Sequence, residues 1–398
     1  MSPSAPEPGR VHGRSYLDHA ANSPLRPVAR SAWLEATEAV GNPSALHGSA
    51  RAARRVLEDA REQLADDLGA HPTEVLFTSG GSEADSLAVV GGVRASGRER
   101  LVVSAVEHPA VLGARALWRS TEVVGADETA RLDLDALTGA LDDTVGLVSV
   151  QTVNNEVGTL QPTDLAAQSA HRVGARFHTD AVQALLWPGV DFAASPADLV
   201  SLSGHKVGAP VGVGVLLARR DAPLDPIGLG GRQERDVRSG TQSAALAAAM
   251  AAAVAELTAN RDEELSRVRT LGARLRRIVL EIEGASLNGA GDGELAHPGI
   301  VSATFDGIRA DDLLLLLDRE GIDASVGSAC RAGVHQPSEV VLACGGGHER
   351  AISTVRFSLG HSSSSVDLDP LATVLPAAVG QARASLGGRR TGRGGWNE

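Results

Sequence analysis

The feature that most constrains this chain is an alternation of short β-branched runs with helical stretches between residues 74 and 217. Helical stretches lie between most of the runs, and the segment Ala50–Leu68 also places its leucines and alanines on one helical face. Alternation of this kind predicts a largely parallel sheet with helices on both faces and right-handed crossovers. The predicted strands are Val75–Thr78, Leu101–Ser104, Thr121–Val124, Val145–Val150, Arg176–His178, Leu199–Leu202 and Val213–Leu217.

The pattern changes after Thr241, where a long helical region, first Ala-rich and then charged, runs to about Glu283. The segments beyond it favour a second, smaller α+β domain. We predict a large domain over residues 24–262 and a small domain formed by residues 1–23 and 263–398, with the change near Asn260. The later elements are strands near Ile300–Phe305, Ile322–Ser325 and Ser353–Ser358 and helices Ala310–Arg319 and Asp367–Ala384.

Composition and charge indicate a globular protein of the cytoplasm. The 398 residues carry a formal net charge of -12, which disfavours direct binding to nucleic acid or to an anionic membrane. The first 14 residues have no apolar core, so we expect no signal peptide, and the longest apolar run, Ala244–Ala255, is too short to span a bilayer. Only two cysteines are present, Cys330 and Cys344, which is no disulfide framework and favours a reducing compartment.

Two segments at the ends of predicted strands contain candidate catalytic residues. Lys206 closes the segment Leu202–Lys206, and a lysine in such a loop is a candidate Schiff-base residue, because burial and nearby cations make its amine nucleophilic. Asp180 follows the strand that ends at His178, and a carboxylate there could keep a pyridine nitrogen protonated. The alternatives are a surface lysine, although this chain uses arginine almost everywhere else, and a helix-capping aspartate.

The segment Thr78–Ala84 follows a predicted strand and opens a helix. Small residues such as Gly81 and Ser82 let a phosphate approach the backbone, and the free N–H groups of a helix start can bind it. An ordinary strand-to-helix turn would have the same appearance.

Cys330 lies in a run of small residues, Ser325–Gly333, which predicts an accessible and mobile thiol. The commoner fate of a free cysteine is a small buried hydrophobe, and that reading suits Cys344. Metal binding by Cys330, His335, Cys344 and His348 is a further alternative, but their spacing fits no standard zinc pattern, and we expect no metal site.

Taken in order, these segments and several others make the chain resemble the class I cysteine desulfurases, the NifS/IscS-like branch of the fold-type I pyridoxal-phosphate enzymes. The resemblance spans about Tyr16 to Leu375. The further segments that carry it are Tyr16–Ala21, Gly41–Ser44 with His47, Glu107–His108, Asn154–Thr159, Gly230–Arg235, Arg238–Thr241 and Arg356–Gly360.

The resemblance implies a fold-type I architecture, a homodimer, L-cysteine as substrate and a sulfur-acceptor protein as partner. It implies that Lys206 bonds the cofactor, that Arg356 grips the substrate carboxylate and that Cys330 attacks the substrate sulfur to form a persulfide. It also implies ring stacking and proton transfer by His108, ring contacts by Asp180 and Gln183, and a position of Asn155 near both the ring and the substrate amine. The implied phosphate contacts are Gly81, Ser82, Ser203 and His205, and Thr241 is implied to contact the phosphate of the other subunit.

Three departures from the family pattern are visible: Asn22-Ser23-Pro24 replaces Thr-Thr-Pro, Ser82 replaces Thr, and Arg331 follows Cys330. None removes a catalytic group. Two alternatives remain open, a selenocysteine lyase or carbon–sulfur β-lyase of the same fold, and a non-catalytic partner of an iron–sulfur assembly complex. The acceptor, whether in iron–sulfur cluster assembly or tRNA thiolation, is not specified by the sequence.

Overall fold

The protein is described by a computed structural model that covers residues 10–11, 13–118, 120–327 and 336–391. Within these ranges the strands are β1 (Arg10–Val11), β2 (Arg14–Tyr16), β3 (Val75–Thr78), β4 (Arg100–Ser104), β5 (Thr121–Val124), β6 (Val145–Ser149), β7 (Arg176–Asp180), β8 (Leu199–Ser203), β9 (Gly214–Ala218), β10 (Ala285–Leu287), β11 (Ile300–Phe305), β12 (Ile322–Asp323) and β13 (Thr354–Ser358). The α-helices are α1 (Pro27–Thr37), α2 (Gly48–Leu68), α3 (Gly81–Ser86), α4 (Gly92–Ser96), α5 (Pro109–Leu112), α6 (Leu134–Ala140), α7 (Thr163–Arg172), α8 (Ala244–Ala259), α9 (Arg261–Leu280), α10 (Ala310–Arg319), α11 (Glu339–Ala343), α12 (Gly347–Ile352) and α13 (Ser365–Thr391).

The central sheet has seven strands in the order β3-β9-β8-β7-β6-β4-β5, and all of them except β9 run in one direction. Its inner strands, such as β6 and β8, are buried along their whole length because helices cover both faces. The predicted α/β architecture is therefore confirmed. The strand ends differ by one or two residues, because ladder pairing with β8 carries β7 past His178 to the polar Asp180.

The remaining elements surround a second apolar core. An antiparallel sheet, β10-β11-β13, and a small sheet, β1-β2-β12, hold this core together with α9, α10 and α13. Leu17, just after β2, belongs to the same cluster as Phe305 and Leu375, so the N-terminal segment packs with the C-terminal half of the chain. The bounds given above for two domains remain a prediction.

Two features correct the sequence-based prediction. The long helical region is broken at Asn260, whose amide side chain bonds the carbonyl of Glu256 at 2.9 Å and ends α8 before α9 begins. The strands β2 and β10 were not predicted, because three residues are too few to show an alternating pattern. Over the described part of the chain, no helix is both long and apolar enough to cross a membrane.

Candidate active site

A cavity of about 490 Å³ opens where the carboxyl ends of β3, β4, β6, β7 and β8 meet. This is the edge at which open α/β sheets bind ligands. The opposite wall comes from the N-terminal segment, β13 and the chain after β12. The predicted site residues that line the cavity are Gly81, Ser82, His108, Asn155, Asp180, Gln183, Ser203, His205, Lys206 and Arg356.

Two predicted residues are not brought to this cavity. Thr241 is exposed in the segment before α8 and does not line the cavity of its own chain. Cys330 lies in the segment 328–335, outside the described residues, although Gly327 at the start of that segment is part of the cavity wall.

Lys206 lies just past the end of β8, and its Nζ donates hydrogen bonds to the carbonyls of Ala20 and Ala21 at 2.6 and 2.8 Å. Burial and the positive charge of Arg356 lower the pKa of Lys206 to about 8, against an opposing effect of Asp18 and Asp180. The amine is therefore not an ordinary surface lysine, since a substantial fraction is uncharged and nucleophilic near neutral pH.

Asp180 ends β7 and is buried beside His108. Its Oδ1 accepts a hydrogen bond from Val182 N at 2.9 Å, the local bond that a capping aspartate also makes. Burial raises the pKa of Asp180, while His108, the Val182 N–H and Lys206 act in the opposite direction. A positively charged ring nitrogen at this carboxylate would strengthen that opposing effect and keep Asp180 ionised.

His108 is held in one tautomer by its own helix start. Its Nδ1 accepts a hydrogen bond from Ala110 N at 3.1 Å, which leaves Nε2 as the protonated nitrogen of the neutral ring. Burial lowers the pKa of His108, and the charge of Lys206 adds to this while Asp180 opposes it. A neutral imidazole at the cavity wall is suited to stacking on an aromatic ring and to proton transfer.

Two buried carboxyl groups that the sequence did not single out lie behind Asp180. Asp85 is 1% exposed and Glu107 is 3% exposed, and each has one oxygen without a hydrogen-bond partner among the described residues. Burial and the proximity of Asp180 raise the pKa of both groups well above the usual range of a carboxyl. Like charges cannot all ionise at this spacing, so Asp85 and Glu107 are expected to hold protons while Asp180 carries the charge.

The side of the cavity formed by α3 and the end of β8 is a cradle of small residues. A Cβ at Gly81 would lie 2.8 Å from Val182 Cγ2 and 3.3 Å from Ser203 Cβ, so a side chain does not fit at this position. Ser203 Oγ lies 3.1 Å from His205 Nδ1, and burial lowers the pKa of His205 to about 4. Unpaired N–H groups at the start of α3 and the Ser82 hydroxyl add donors for an anion.

The guanidinium of Arg356, on β13, is fixed by two contacts on the opposite wall. Nη2 donates to Asp18 Oδ1 at 2.9 Å and Nη1 donates to the carbonyl of Asn155 at 2.7 Å. The buried Nε has no partner among the described residues. Arg356 therefore retains donor capacity for a carboxylate inside the cavity.

These residues fit pyridoxal phosphate on the structure's own features. The amine of Lys206 would hold its aldehyde, the carboxylate of Asp180 would pair with its ring nitrogen, and the glycine backbone at Gly81 would leave space for its phosphate. The ligand atoms of Asp85, His108 and Asp180 also lie within 4.8 Å of one another and could hold a metal ion. The absence of a metal thus remains a prediction.

Three residues missed by the sequence interpretation belong to motifs that it notes without giving these residues a role. Asp18 is part of Tyr16–Ala21, Glu107 precedes His108, and Glu156 is part of Asn154–Thr159. For Glu107 and Glu156 the available signal was an acidic residue next to an assigned one, whereas Asp85 lies outside the motifs and had no such signal.

Comparison with known proteins agrees with the geometry. The family model described as aminotransferase class-V matches residues 15–371. The chain is 44% identical over 387 residues to an "IscS-like cysteine desulfurase" of Mycobacterium tuberculosis, covering 93% of this chain and 97% of the relative. It is 37% identical over 376 residues to the "Cysteine desulfurase NifS" of Azotobacter vinelandii, covering 92% and 93%.

A solved structure of a NifS-like protein from Rickettsia africae superposes with a TM-score of 0.84 at 26% identity, covering 92% of this chain and 99% of that one. One cavity contains the amine, the carboxylate and the phosphate cradle of a cofactor site. Over nearly its whole length, this chain belongs to the aminotransferase class-V family, among the pyridoxal-phosphate-dependent cysteine desulfurases.

Proposed function

We propose that this enzyme converts L-cysteine into L-alanine and carries the sulfur as a persulfide on Cys330, for delivery to an acceptor protein. The reaction balances without a further reagent. The Cβ–S bond of cysteine breaks and an S–S bond to Cys330 forms; the sulfur is oxidised and Cβ reduced, and the thiol protons end on alanine and on the persulfide. The observation that carries the proposal is the presence of Lys206 and Arg356 in one cavity, opposite Asp180.

Pyridoxal phosphate, when bound, supplies an aldehyde that captures amines and a protonated ring that accepts electron density. The residues of the chain supply the rest. Arg356 binds the substrate carboxylate through its free donors, and Lys206, whose pKa is lowered to about 8, can take the Cα proton as a neutral amine. His108 and Gln183 would orient the ring, and Gln183 Nε2 already donates to Ala20 O at 2.8 Å.

Sulfur capture is assigned to Cys330 rather than to Cys344. Burial, followed by the negative charge of Asp127, raises the pKa of the Cys344 thiol to about 11, so that thiol stays protonated at neutral pH. The thiolate is the nucleophile in attack on sulfur, which makes Cys344 a poor acceptor. Gly327 lines the cavity, and Cys330 comes three residues after it in the sequence.

Three further features are part of the proposal. Thr241 is exposed and outside its own cavity, which suits a contact with the phosphate of a second subunit in a homodimer. The residue composition suits a cytoplasmic location. The acceptor is a protein of iron–sulfur cluster assembly or of tRNA thiolation.

The two thiols provide the test and its matched control. Cys330→Ser should still bind cofactor and cysteine but form almost no alanine, because a hydroxyl is a far weaker nucleophile toward sulfur. Cys344→Ser should stay active, with a modest loss of stability. Alanine release and persulfide labelling are measured side by side. A dead Cys344→Ser with a live Cys330→Ser would overturn the assignment, and alanine release by Cys330→Ser at the normal rate would favour a lyase.

A further inference from the structure

Glu156 is a half-buried carboxylate that lines the cavity, in the turn that links β6 to α7. The turn is held from within: Asn154 Oδ1 accepts hydrogen bonds from the N–H groups of Glu156 and Val157 at 2.9 and 2.8 Å, and Asn154 Nδ2 donates to Val106 O at 3.0 Å. Asn154 is fully buried. The backbone that carries Glu156 is therefore a fixed support.

The side chain of Glu156 contacts both chain ends that flank residues 328–335. On the far side of that segment, Ser338 Oγ donates to Glu156 Oε2 at 2.6 Å. On the near side, a Cβ at Gly327 would lie 3.3 Å from Glu156 Cγ and 3.5 Å from Oε2. The backbone of Gly327, with φ at +80°, thus passes directly against the Glu156 side chain.

Each of these two ends is anchored to the fold. Ser338 is 2% exposed and its Oγ also accepts from Val341 N at 3.1 Å, so it caps α11 while it donates to Glu156. Gly327 N donates to Ser325 Oγ at 3.1 Å, and the backbone of Ser325 pairs with that of Arg356. Glu156 therefore joins the start of α11 to the strand that holds the substrate-binding arginine.

We propose that Glu156 is a positioning residue for sulfur transfer: its bond to Ser338 and its packing on Gly327 fix the two points from which the segment with Cys330 departs. The inference rests on the proposed role of Cys330. Cys330 follows Gly327 by only three residues in the sequence. Fixing Gly327 at the cavity wall therefore sets the local concentration of the thiol near the substrate sulfur, and small displacements can cost a large part of the rate.

The charge of Glu156 has a separate effect that the test must exclude. Burial raises the pKa of Glu156, while the Ser338 hydroxyl and Arg356 lower it and Glu339 raises it. Loss of this carboxyl could therefore disturb the substrate-binding Arg356 instead of the Cys330 segment. Substrate affinity and the rate of alanine formation must be measured separately.

The experiment uses the cofactor-loaded enzyme and five variants: Glu156→Ala, Glu156→Gln, Ser338→Ala, the double variant that combines Glu156→Ala with Ser338→Ala, and Glu349→Ala. Glu156→Ala and Ser338→Ala should slow single-turnover alanine formation by about ten- to a hundredfold, whereas the Kd of cysteine, read from the cofactor absorbance, should not change. The double variant should be no worse than either single one, because the two side chains act through one contact. Glu156→Gln should retain most of the rate, since its amide oxygen can still accept from Ser338. Glu349→Ala, which removes an exposed carboxylate that does not contact Glu156, is the matched control.

A wild-type rate in Glu156→Ala or Ser338→Ala would overturn the proposal, and so would a rise in the Kd of cysteine that accounts for the lost rate. Cys330 alkylation by iodoacetamide, read by mass spectrometry as the alkylated fraction of its peptide, should change in the two slow variants and stay normal in Glu349→Ala; equal labelling in all would also overturn the proposal. Cys330→Ser, measured alongside, separates the two inferences. If that variant makes alanine normally, the proposed function fails; if it is dead while Glu156→Ala is normal, only the role of Glu156 fails.

Discussion

The two walls of the active-site cavity are built in different ways. On the sheet wall, Asp180 and Ser203 are the last residues of β7 and β8, so ladder hydrogen bonds position both, and Lys206 lies in the short turn that follows β8. On the opposite wall, Arg356 is held by the side chain of Asp18 and the carbonyl of Asn155, which come from distant parts of the chain. The wall that binds the cofactor therefore depends on backbone structure, and the wall that binds the substrate depends on single side-chain contacts.

The walls also differ in charge, and Lys206 responds to both. The sheet wall presents the carboxyl groups of Asp85 and Asp180, with Glu107 buried behind them, whereas the opposite wall presents the cation of Arg356 beside the carboxylates of Asp18 and Glu156. The pKa of Lys206 is lowered by burial and by Arg356, and raised by Asp18 and Asp180. Substitutions on either wall should thus change distinct steps, and the following predictions test that separation.

The largest effect is expected on the sheet wall, from Lys206→Ala. Lys206 is the only lysine in the sequence, so the chain has no other side-chain amine to replace it. Turnover should fall by about 10²- to 10⁴-fold, the usual worth of a positioned acid–base group. Borohydride reduction of the wild-type enzyme should fix one cofactor per chain onto Lys206, as read by peptide mass, and none onto the variant. Label at the N-terminal amine instead would contradict the assignment.

On the opposite wall, Arg356→Lys should raise the KM for cysteine more than it lowers kcat. A lysine keeps the charge but cannot reproduce the contacts to Asp18 and Asn155 while it binds a carboxylate. Loss of a charged hydrogen bond is worth about 1.5–3 kcal/mol, or roughly 10- to 100-fold in KM. The bound-cofactor spectrum should be unchanged. A lost cofactor spectrum with a normal KM would show that the two walls do not act separately.

Asp18→Asn should give a smaller effect of the same kind. Asp18 contributes one hydrogen bond to Arg356, and its side chain is 22% exposed, so water can partly replace it. We expect the KM for cysteine to rise by about tenfold or less, the value of a single charged hydrogen bond partly screened by solvent. Asp323→Asn is a control with a carboxylate on the same side that instead bonds Arg14. An equal change in both variants would remove the specific role of Asp18.

The two walls also differ in how much of each could be predicted from the sequence. Lys206, Asp180 and Gly81 lie at strand ends, and strand ends are visible in a sequence as the place where an apolar run stops. Asp18 and Arg356 are 338 residues apart, and no spacing rule relates them. The contact of Ser338 with Glu156, across 182 residues, is similarly invisible.

The break between α8 and α9 could not be predicted from the residue pattern either. Asn260 has neither the rigidity of proline nor the freedom of glycine, so the helical periodicity continues through it. It ends α8 because its backbone leaves the helical conformation, with φ at −112° and ψ at 14°, while its N–H and its side-chain amide both bond the Glu256 carbonyl. Burial of Asp85 behind Asp180 depends likewise on the packing of α3 against the sheet.

The smallest predicted effect is a change in the pKa of Lys206, on the sheet wall, when Arg356 on the opposite wall is replaced. Arg356→Gln removes the cation that helps to lower the pKa of Lys206, so that pKa should rise above its present value of about 8. The unprotonated amine is the form that captures the cofactor aldehyde. The rate at which the apoenzyme captures the cofactor should therefore increase as the pH rises through the Lys206 pKa. The midpoint of this pH profile should lie at higher pH in the variant. Stopped-flow absorbance across a pH series measures this, and the exposed Arg309→Gln is a control for lost positive charge. A midpoint that stays in place would mean that burial alone sets the Lys206 pKa; one that falls would contradict the sign of the coupling between the walls.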